Sequence, residues 1–257
     1  MPLIWVSISG HGFGHAAQLV PVLNALGQRI SDLRIILRTT VPATFFQDTL
    51  LVPWEHLSSQ QDIGCIQESP LDIDIPRTWQ AYREFHMNWE RRVRDEVNAI
   101  RLASPVIVLS NISYLGIASG VSAGCPTVAL ASLSWDQILE EYLPDSCAEQ
   151  EMIVKHIRQA YQGAEVLLRP FPGIPMPAFP QVIDVGPILS PPVPSQGVLR
   201  SRLKLEPHEC LVLIAFGGIP LTSLPLEQLE ALKGFVFVIS GEMDCEGYTR
   251  IFSTQSV

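Results

Sequence analysis

The chain predicts an α/β fold built on a doubly wound parallel sheet, and three observations carry that expectation. Strand-like and helix-like periods alternate from residue 3 onward. The first strand-like run, Leu3–Ser9, is continuously apolar, as in strands covered on both faces. It runs straight into a glycine-laced turn, Gly10-His11-Gly12-Phe13-Gly14, followed by a helical pattern. This strand–turn–helix order is how parallel sheets with crossover helices begin.

The elements follow in order. Ala16–Ile30 carries Leu19, Leu23, Leu26 and Ile30 at helical spacing. Leu33–Thr39 reads as the second strand and Leu51–Leu57 as the region of a third. Ile75–Leu102 predicts one long polar helix with Trp79, Tyr82, Phe85, Trp89 and Val93 on a single stripe, a pattern of core packing. Val106–Ser110, Thr127–Ala131 and Glu165–Arg169 read as strands, separated by helices over Ile117–Ala123 and Gln150–Gln162. Gln181–Val185 reads as a short further strand. The stretch from Pro170 to Gln196 is dense in proline, and its end reads as a stiff linker. Alternation then restarts: a helix over Val198–Lys204, a strand over Cys210–Phe216, a turn at Gly217-Gly218, a helix over Leu226–Leu232 and a strand over Phe235–Ser240. The expected organisation is a Rossmann-like domain over residues 1–188, a proline-rich linker over 189–197, and the start of a second Rossmann-like domain over 198–257. Two strands cannot cover both their faces, so the second domain reads as incomplete.

With 257 residues, 47% hydrophobic and 17% charged, the chain can bury a sizeable core. Its 17 basic and 26 acidic residues give a net charge of -9, which argues against nucleic acid as a partner. No apolar run reaches the length of a membrane span, and the N-terminus lacks the basic region of a signal peptide, so a cytoplasmic protein is expected. The five cysteines form no C-x-x-C pair. His56, His86, His156 and His208 are scattered, and no metal is expected.

The chemistry is expected at Ser9-Gly10-His11-Gly12-Phe13-Gly14-His15-Ala16. A first βα turn opens on the edge where α/β sheets bind ligands. A dinucleotide fingerprint fits poorly: His15 stands at the place of the third glycine, and the second strand closes with Arg38-Thr39-Thr40 rather than an acid. No Gly-Lys-Ser/Thr follows, which excludes a Walker loop, and no Gly-x-Ser-x-Gly elbow marks a serine hydrolase. A helix N-terminus disfavours imidazolium, so a neutral, proton-accepting His15 is expected. Arg91-Arg92-Val93-Arg94 reads as a solvated helix face, with a phosphate-binding role as the alternative.

Gly10-His11-Gly12-Phe13-Gly14-His15-Ala16 resembles the opening motif of the glycosyltransferase-like N-terminal part of plant L-arabinokinases and of related bacterial proteins. Further landmarks follow in the same order. Val108-Leu109-Ser110-Asn111 is similar to that family's Val-Val-Ser-Asp, and Ser132-Leu133-Ser134-Trp135-Asp136 to its Asn-Phe-Ser-Trp-Asp. Pro175-Met176-Pro177-Ala178-Phe179 and Phe216-Gly217-Gly218 also match. The set spans about residues 6 to 218. The resemblance implies the GT-B architecture, two Rossmann-like domains, and sugar transfer from a nucleotide-sugar donor to a hydroxyl acceptor. It implies His15 as general base, with no cofactor beyond the donor substrate. Gly10, His11, Gly12, Phe13, Gly14, Trp135 and Asp136 are then expected at the substrate, Trp135 through its indole face and Asp136 through its carboxylate. Gly217, Gly218 and Gly241 are expected at the donor.

Two departures matter. Asn111 stands where the family has aspartate; it can orient His15 but supplies no charge, unless another carboxylate such as Asp136 substitutes. The family's glycine-rich donor loop and its sugar-kinase domain lie beyond the matched region. Two alternatives therefore stand beside the transferase: a non-catalytic sugar- or nucleotide-binding module that has lost its donor half, and a nucleotide-sugar epimerase. An unfinished second sheet would leave an edge that invites oligomerisation.

Overall fold

A computed structural model describes residues 1–69, 72–143, 147–190, 197–215, 224–240 and 243–254. The expected donor glycines Gly217, Gly218 and Gly241, and most of the expected linker, lie outside the described residues. The chain divides into two compact units, one of Met1–Ile66 and Asp74–Ser190, the other of Gln67–Ile73 and Pro191–Val257.

The first unit opens with β1 (Leu3–Ile8), α1 (Gly14–Arg29), β2 (Arg34–Thr39), α2 (Thr44–Gln47) and β3 (Trp54–Ser58). After the hairpin of β4 (Gln67–Ser69) and β5 (Asp72–Ile73), which groups with the other unit, come α3 (Ile75–Met87), α4 (Trp89–Ala103), β6 (Ile107–Asn111) and α5 (Tyr114–Ala123). The unit closes with β7 (Thr127–Leu130), α6 (Trp135–Glu140), α7 (Ala148–Gln162), β8 (Val166–Pro170) and β9 (Val182–Val185). Its seven strands are all parallel, in the order β3-β2-β1-β6-β7-β8-β9. The chain therefore winds outward from β1 in one direction and then in the other, placing the topological switch point between β1 and β6.

The pleat separates two cores. Ile4, Val6 and Ile8 of β1 join Ile35, Leu37 and Leu109 beneath α1, where Ala16, Leu19 and Leu23 complete the layer. Trp5, Ile36 and Val108 face the other way, onto Ile100 of α4. This double coverage is why β1 carries no alternation.

The single helix expected over Ile75–Leu102 is two helices, broken at Asn88, whose φ of -111° and ψ of 20° leave the helical region. α3 packs against α7 and donates from Trp79 Nε1 to Tyr142 O at 3.1 Å, whereas α4 packs against α5 and the sheet. One straight rod could not reach both partners. The Trp79-Tyr82-Phe85 stripe is core, as expected, while Trp89 and Val93 are only half-buried. Pro175–Phe179 packs within this unit, with Phe179 stacked on Tyr161 at 4.8 Å.

The second unit holds α8 (Val198–Arg202), β10 (Cys210–Ile214), α9 (Leu226–Glu230), β11 (Phe235–Ile239) and β12 (Ile251–Ser253). Its strands form a parallel sheet in the order β10-β11-β12. β12, absent from the two-strand expectation, is too short to show a period. It pairs Ile251 with Phe237 and shares a core with it and Ile239.

Candidate active site

The site is assembled at the carboxyl edge of the sheet, over the switch point. β1 ends at Ile8, which registers with Asn111, the last residue of β6. Ser9 N–H still bonds Asn111 O at 3.3 Å, and the chain then leaves the sheet. Gly12 turns it at φ +69°, a conformation that costs a side-chain-bearing residue. α1 begins at Gly14 with no side-chain cap and no acid in its first turn, so its amino end carries its full positive partial charge. Phe13 is exposed and stacks on Phe45 at 5.4 Å.

Alternation along β6 turns Asn111 to the face covered by α1, the face on which Leu109 packs. Asn111 is 0% exposed, and its Oδ1 lies 2.8 Å from His15 Nδ1. Its Nδ2 donates to Gln18 Oε1 at 2.9 Å, one turn along α1. With the amide oriented this way, Oδ1 is the acceptor and His15 carries its proton on Nδ1. Nε2 keeps its lone pair, the tautomer a general base requires. Burial pushes the His15 pKa down to about 4; the Asn111 bond raises it only partly, and His11 lowers it further.

The floor beneath the two histidines is Trp135. Its ring meets His15 edge-on at 5.9 Å and His11 at 5.3 Å. Expected to offer an indole face to a sugar, Trp135 is instead 2% exposed, and its Nε1 donates to Asp62 Oδ2 at 3.0 Å. Asp136, expected at a substrate hydroxyl, is 0% exposed. It accepts from Ser134 Oγ at 2.6 Å and from Arg158 Nε at 3.2 Å. Both follow from the helix they sit in: α6 starts at Trp135, and Asp136 stabilises its first turn while Trp135 faces inward. Nor does Asp136 substitute for the missing aspartate, since its hydrogen bonds go to Ser134, Gln137 and Arg158 and none to His15.

The carboxylate that does reach this cluster is Asp62, which no motif announced. The segment following β3 crosses over the strand ends and is buried at Gln61, Asp62 and Cys65. Asp62 Oδ1 accepts from Ser9 Oγ at 2.8 Å, and Ser9 Oγ in turn accepts from His11 N–H at 3.2 Å. Burial raises the Asp62 pKa to about 6, against the opposing bonds from Trp135 and Ser9. Gly64 follows at φ +74°; a Cβ there would lie 2.5 Å from His11 Cδ2. Gln61 is held by Ser7, by Glu96 at 3.0 Å, and through its own carbonyl by Ser113 Oγ at 3.1 Å. The only sequence signal for this segment is a polar run directly after a strand.

The structure thus brings together His11, His15, Asn111 and Trp135 of the expected residues, and adds Asp62, Ser9 and Gln18. Among the described residues no group of three or more His, Cys, Asp or Glu is arranged to hold a metal ion. No described helix is long and apolar enough to cross a membrane.

No protein-family model matches the chain. It is 29% identical over 237 residues to L-arabinokinase of Arabidopsis thaliana, a match covering 91% of this chain and 22% of that protein. The chain therefore spans about a fifth of the length of this curated relative. UGT2 of Phytolacca americana, solved with UDP-2-fluoro-glucose and pterostilbene, shares 16% identity at a TM-score of 0.56, covering 99% of this chain and 71% of UGT2. A UDP-glucosyltransferase from Polygonum tinctorium shares 15% at 0.57, over 98% of this chain and 71% of its own.

Proposed function

We infer the function of the chain from two findings, an α/β, GT-B glycosyltransferase-like fold and a sequence similar to L-arabinokinase. From that premise we propose that the chain takes part in glycosyl transfer from a nucleotide-sugar to a hydroxyl acceptor, with His15 as general base. One observation carries the proposal. His15 sits at the switch point with Nδ1 2.8 Å from Asn111 Oδ1, a contact that favours the tautomer in which Nε2 is the proton acceptor.

Nε2 takes the acceptor hydroxyl proton while that oxygen forms a bond to the anomeric carbon. The anomeric carbon's bond to the diphosphate oxygen breaks, and the electron pair leaves with the nucleotide diphosphate. His15 becomes imidazolium, stabilised by Asn111 as a dipole rather than as a charge. Gly10, Gly12, Phe13 and Gly14 shape the loop against which the acceptor rests. Gly217, Gly218 and Gly241 are the proposed donor contacts. Asp62 acts at one remove, holding Trp135 and Ser9, on which the two histidines are seated.

The test is hydrolysis and transfer from uridine and guanosine diphosphate-sugars, with His15→Ala as the control. Turnover that falls by 10²-fold or more in the variant supports the proposal. Turnover untouched by the substitution refutes the assigned base. A second reading, a non-catalytic sugar- or nucleotide-binding module, is favoured by one feature: burial, only partly offset by the bond to Asn111, leaves His15 a weak base. Donor binding detected by thermal shift, without turnover in either protein, would select it.

A further inference from the structure

The run Arg91-Arg92-Val93-Arg94, expected as a solvated helix face, divides on folding. Arg91 and Arg94 are exposed, and Arg91 lies 3.7 Å from Asp95 with both side chains largely in water. Arg92 is different. Its guanidinium carbon sits 4.2 Å from the centre of the Phe85 ring. Its Nε is closed off from solvent with no hydrogen-bond partner, and it makes no ion pair among the described residues. That Nε is out of a groove ligand's reach as it stands; the two Nη groups are the ones left to face the groove, and no hydrogen-bond partner holds them among the described residues.

Arg92 lines a groove of about 320 Å³ at the amino end of α4, together with Arg38, Ser59, Asn88, Arg91, Asp95 and Glu96. The charges there do not cancel. Arg38 is neutralised by Glu96, whose carboxylate also accepts from Ser59 and Gln61. Arg91 is offset by Asp95. Arg92 remains as one uncompensated guanidinium, on a chain whose net charge is -9. Its contact with the Phe85 ring restrains the guanidinium in advance, which lowers the entropy lost when the fork is used.

We propose that this groove binds a phosphoryl group, with Arg92 as the principal ligand and Asn88 and Arg91 as flanking donors. A planar fork of N–H groups suits the paired oxygens of a tetrahedral oxyanion, and the arrangement gives charge and direction together. The groove lies at the small end of ligand-binding cavities, which suits a phosphoryl group carrying a body the size of one sugar ring. Glu96, already saturated by its partners, sets the wall against which a second negative charge would be placed least well, so the ligand's anionic end is directed to Arg92. The site is separate from the transfer reaction.

The experiment is calorimetric titration of the full chain with inorganic phosphate, a hexose phosphate and acetate. Saturable one-to-one binding is expected for both phosphates, at least tenfold tighter than for acetate and weakening as salt rises. Arg92→Gln should lower that affinity tenfold or more, whereas Arg94→Gln and His15→Ala should leave it unchanged. If Arg92→Gln does not fold, Arg92→Lys keeps the charge and stem and should weaken binding several-fold, because a point charge replaces the fork. Equal affinity for the two phosphates would confine recognition to the phosphoryl group; tighter hexose phosphate binding would assign the rest of the groove to the sugar. Absence of saturable phosphate binding, acetate binding as tight as phosphate, or equal loss in the Arg92 and Arg94 variants would overturn the proposal.

Discussion

Replacing Asn111 with aspartate should raise the His15 pKa by about 1–3 units, the range for an opposite charge in contact with a titrating group. The magnitude follows from the geometry. The amide oxygen lies 2.8 Å from Nδ1, so the substitution puts a full negative charge in direct contact with the imidazolium that forms. At an effective dielectric near 20, contact charges interact by about 4 kcal/mol, or about 3 units at 1.36 kcal/mol each. The neutral amide already contributes part of this, so the gain is smaller, and it starts from the value of about 4 set by burial. The substitution has a cost. The new carboxylate oxygen facing Gln18 Oε1 cannot donate, so Gln18 must turn its amide to present Nε2. The carboxylate is also fully desolvated at this position. Histidine Cε1–Hε1 NMR signals followed from pH 3.5 to 8 would read the effect, with His15 assigned by its loss in His15→Gln. The two groups titrate as a pair, and the apparent value belongs to both. A displacement below about 0.5 unit would refute the contact on which the assigned tautomer rests. If transfer is present, Asn111→Asp should also raise it; loss of activity in a folded variant would count against a base role for His15.

Other outcomes follow from the same cluster. His15 and His86 are both held down to about 4, so the folded state binds fewer protons than the unfolded state between pH 6.5 and 4, and both lose stability as pH falls through that window. Asp62, raised to about 6, has the opposite sign, so Asp62→Asn should cost stability overall yet improve the ratio of stability at pH 7.5 to that at pH 5, measured by urea denaturation. Gly64→Ala should destabilise by about 1–2 kcal/mol, because φ is +74° and the new Cβ meets the His11 ring, and the His11 NMR signal should move with it. Gly116→Ala should cost about 1–3 kcal/mol, since its Cβ would lie 2.4 Å from Ser7 Cβ under α5; an unchanged melting temperature would contradict the packing described. Arg158→Met strips the fully buried Asp136 of its half-exposed cation while the bond from Ser134 remains, and should cost about 1–2 kcal/mol by thermal denaturation.

By itself, the sequence determined the alternating α/β class, the place of the loop and the identity of its histidines. A run such as Leu3–Ile8, apolar at every position but Ser7, has one stable environment, coverage on both faces, and a glycine turn after it opens on one edge of the sheet. Those are local properties, readable from neighbours in the chain. What sits against His15 is not local. Asn111 arrives from β6 through strand register, and Asp62 through a segment that crosses the strand ends from beyond β3. The burial of Trp135 and Asp136, which removes them from a substrate's reach, is set by packing against α7 and the histidine loop. The break at Asn88 likewise came from two helix halves having different partners. Periodicity reports which face of an element is apolar; only the closed structure decides which polar groups meet there, because their pairing depends on distances that span the whole sheet.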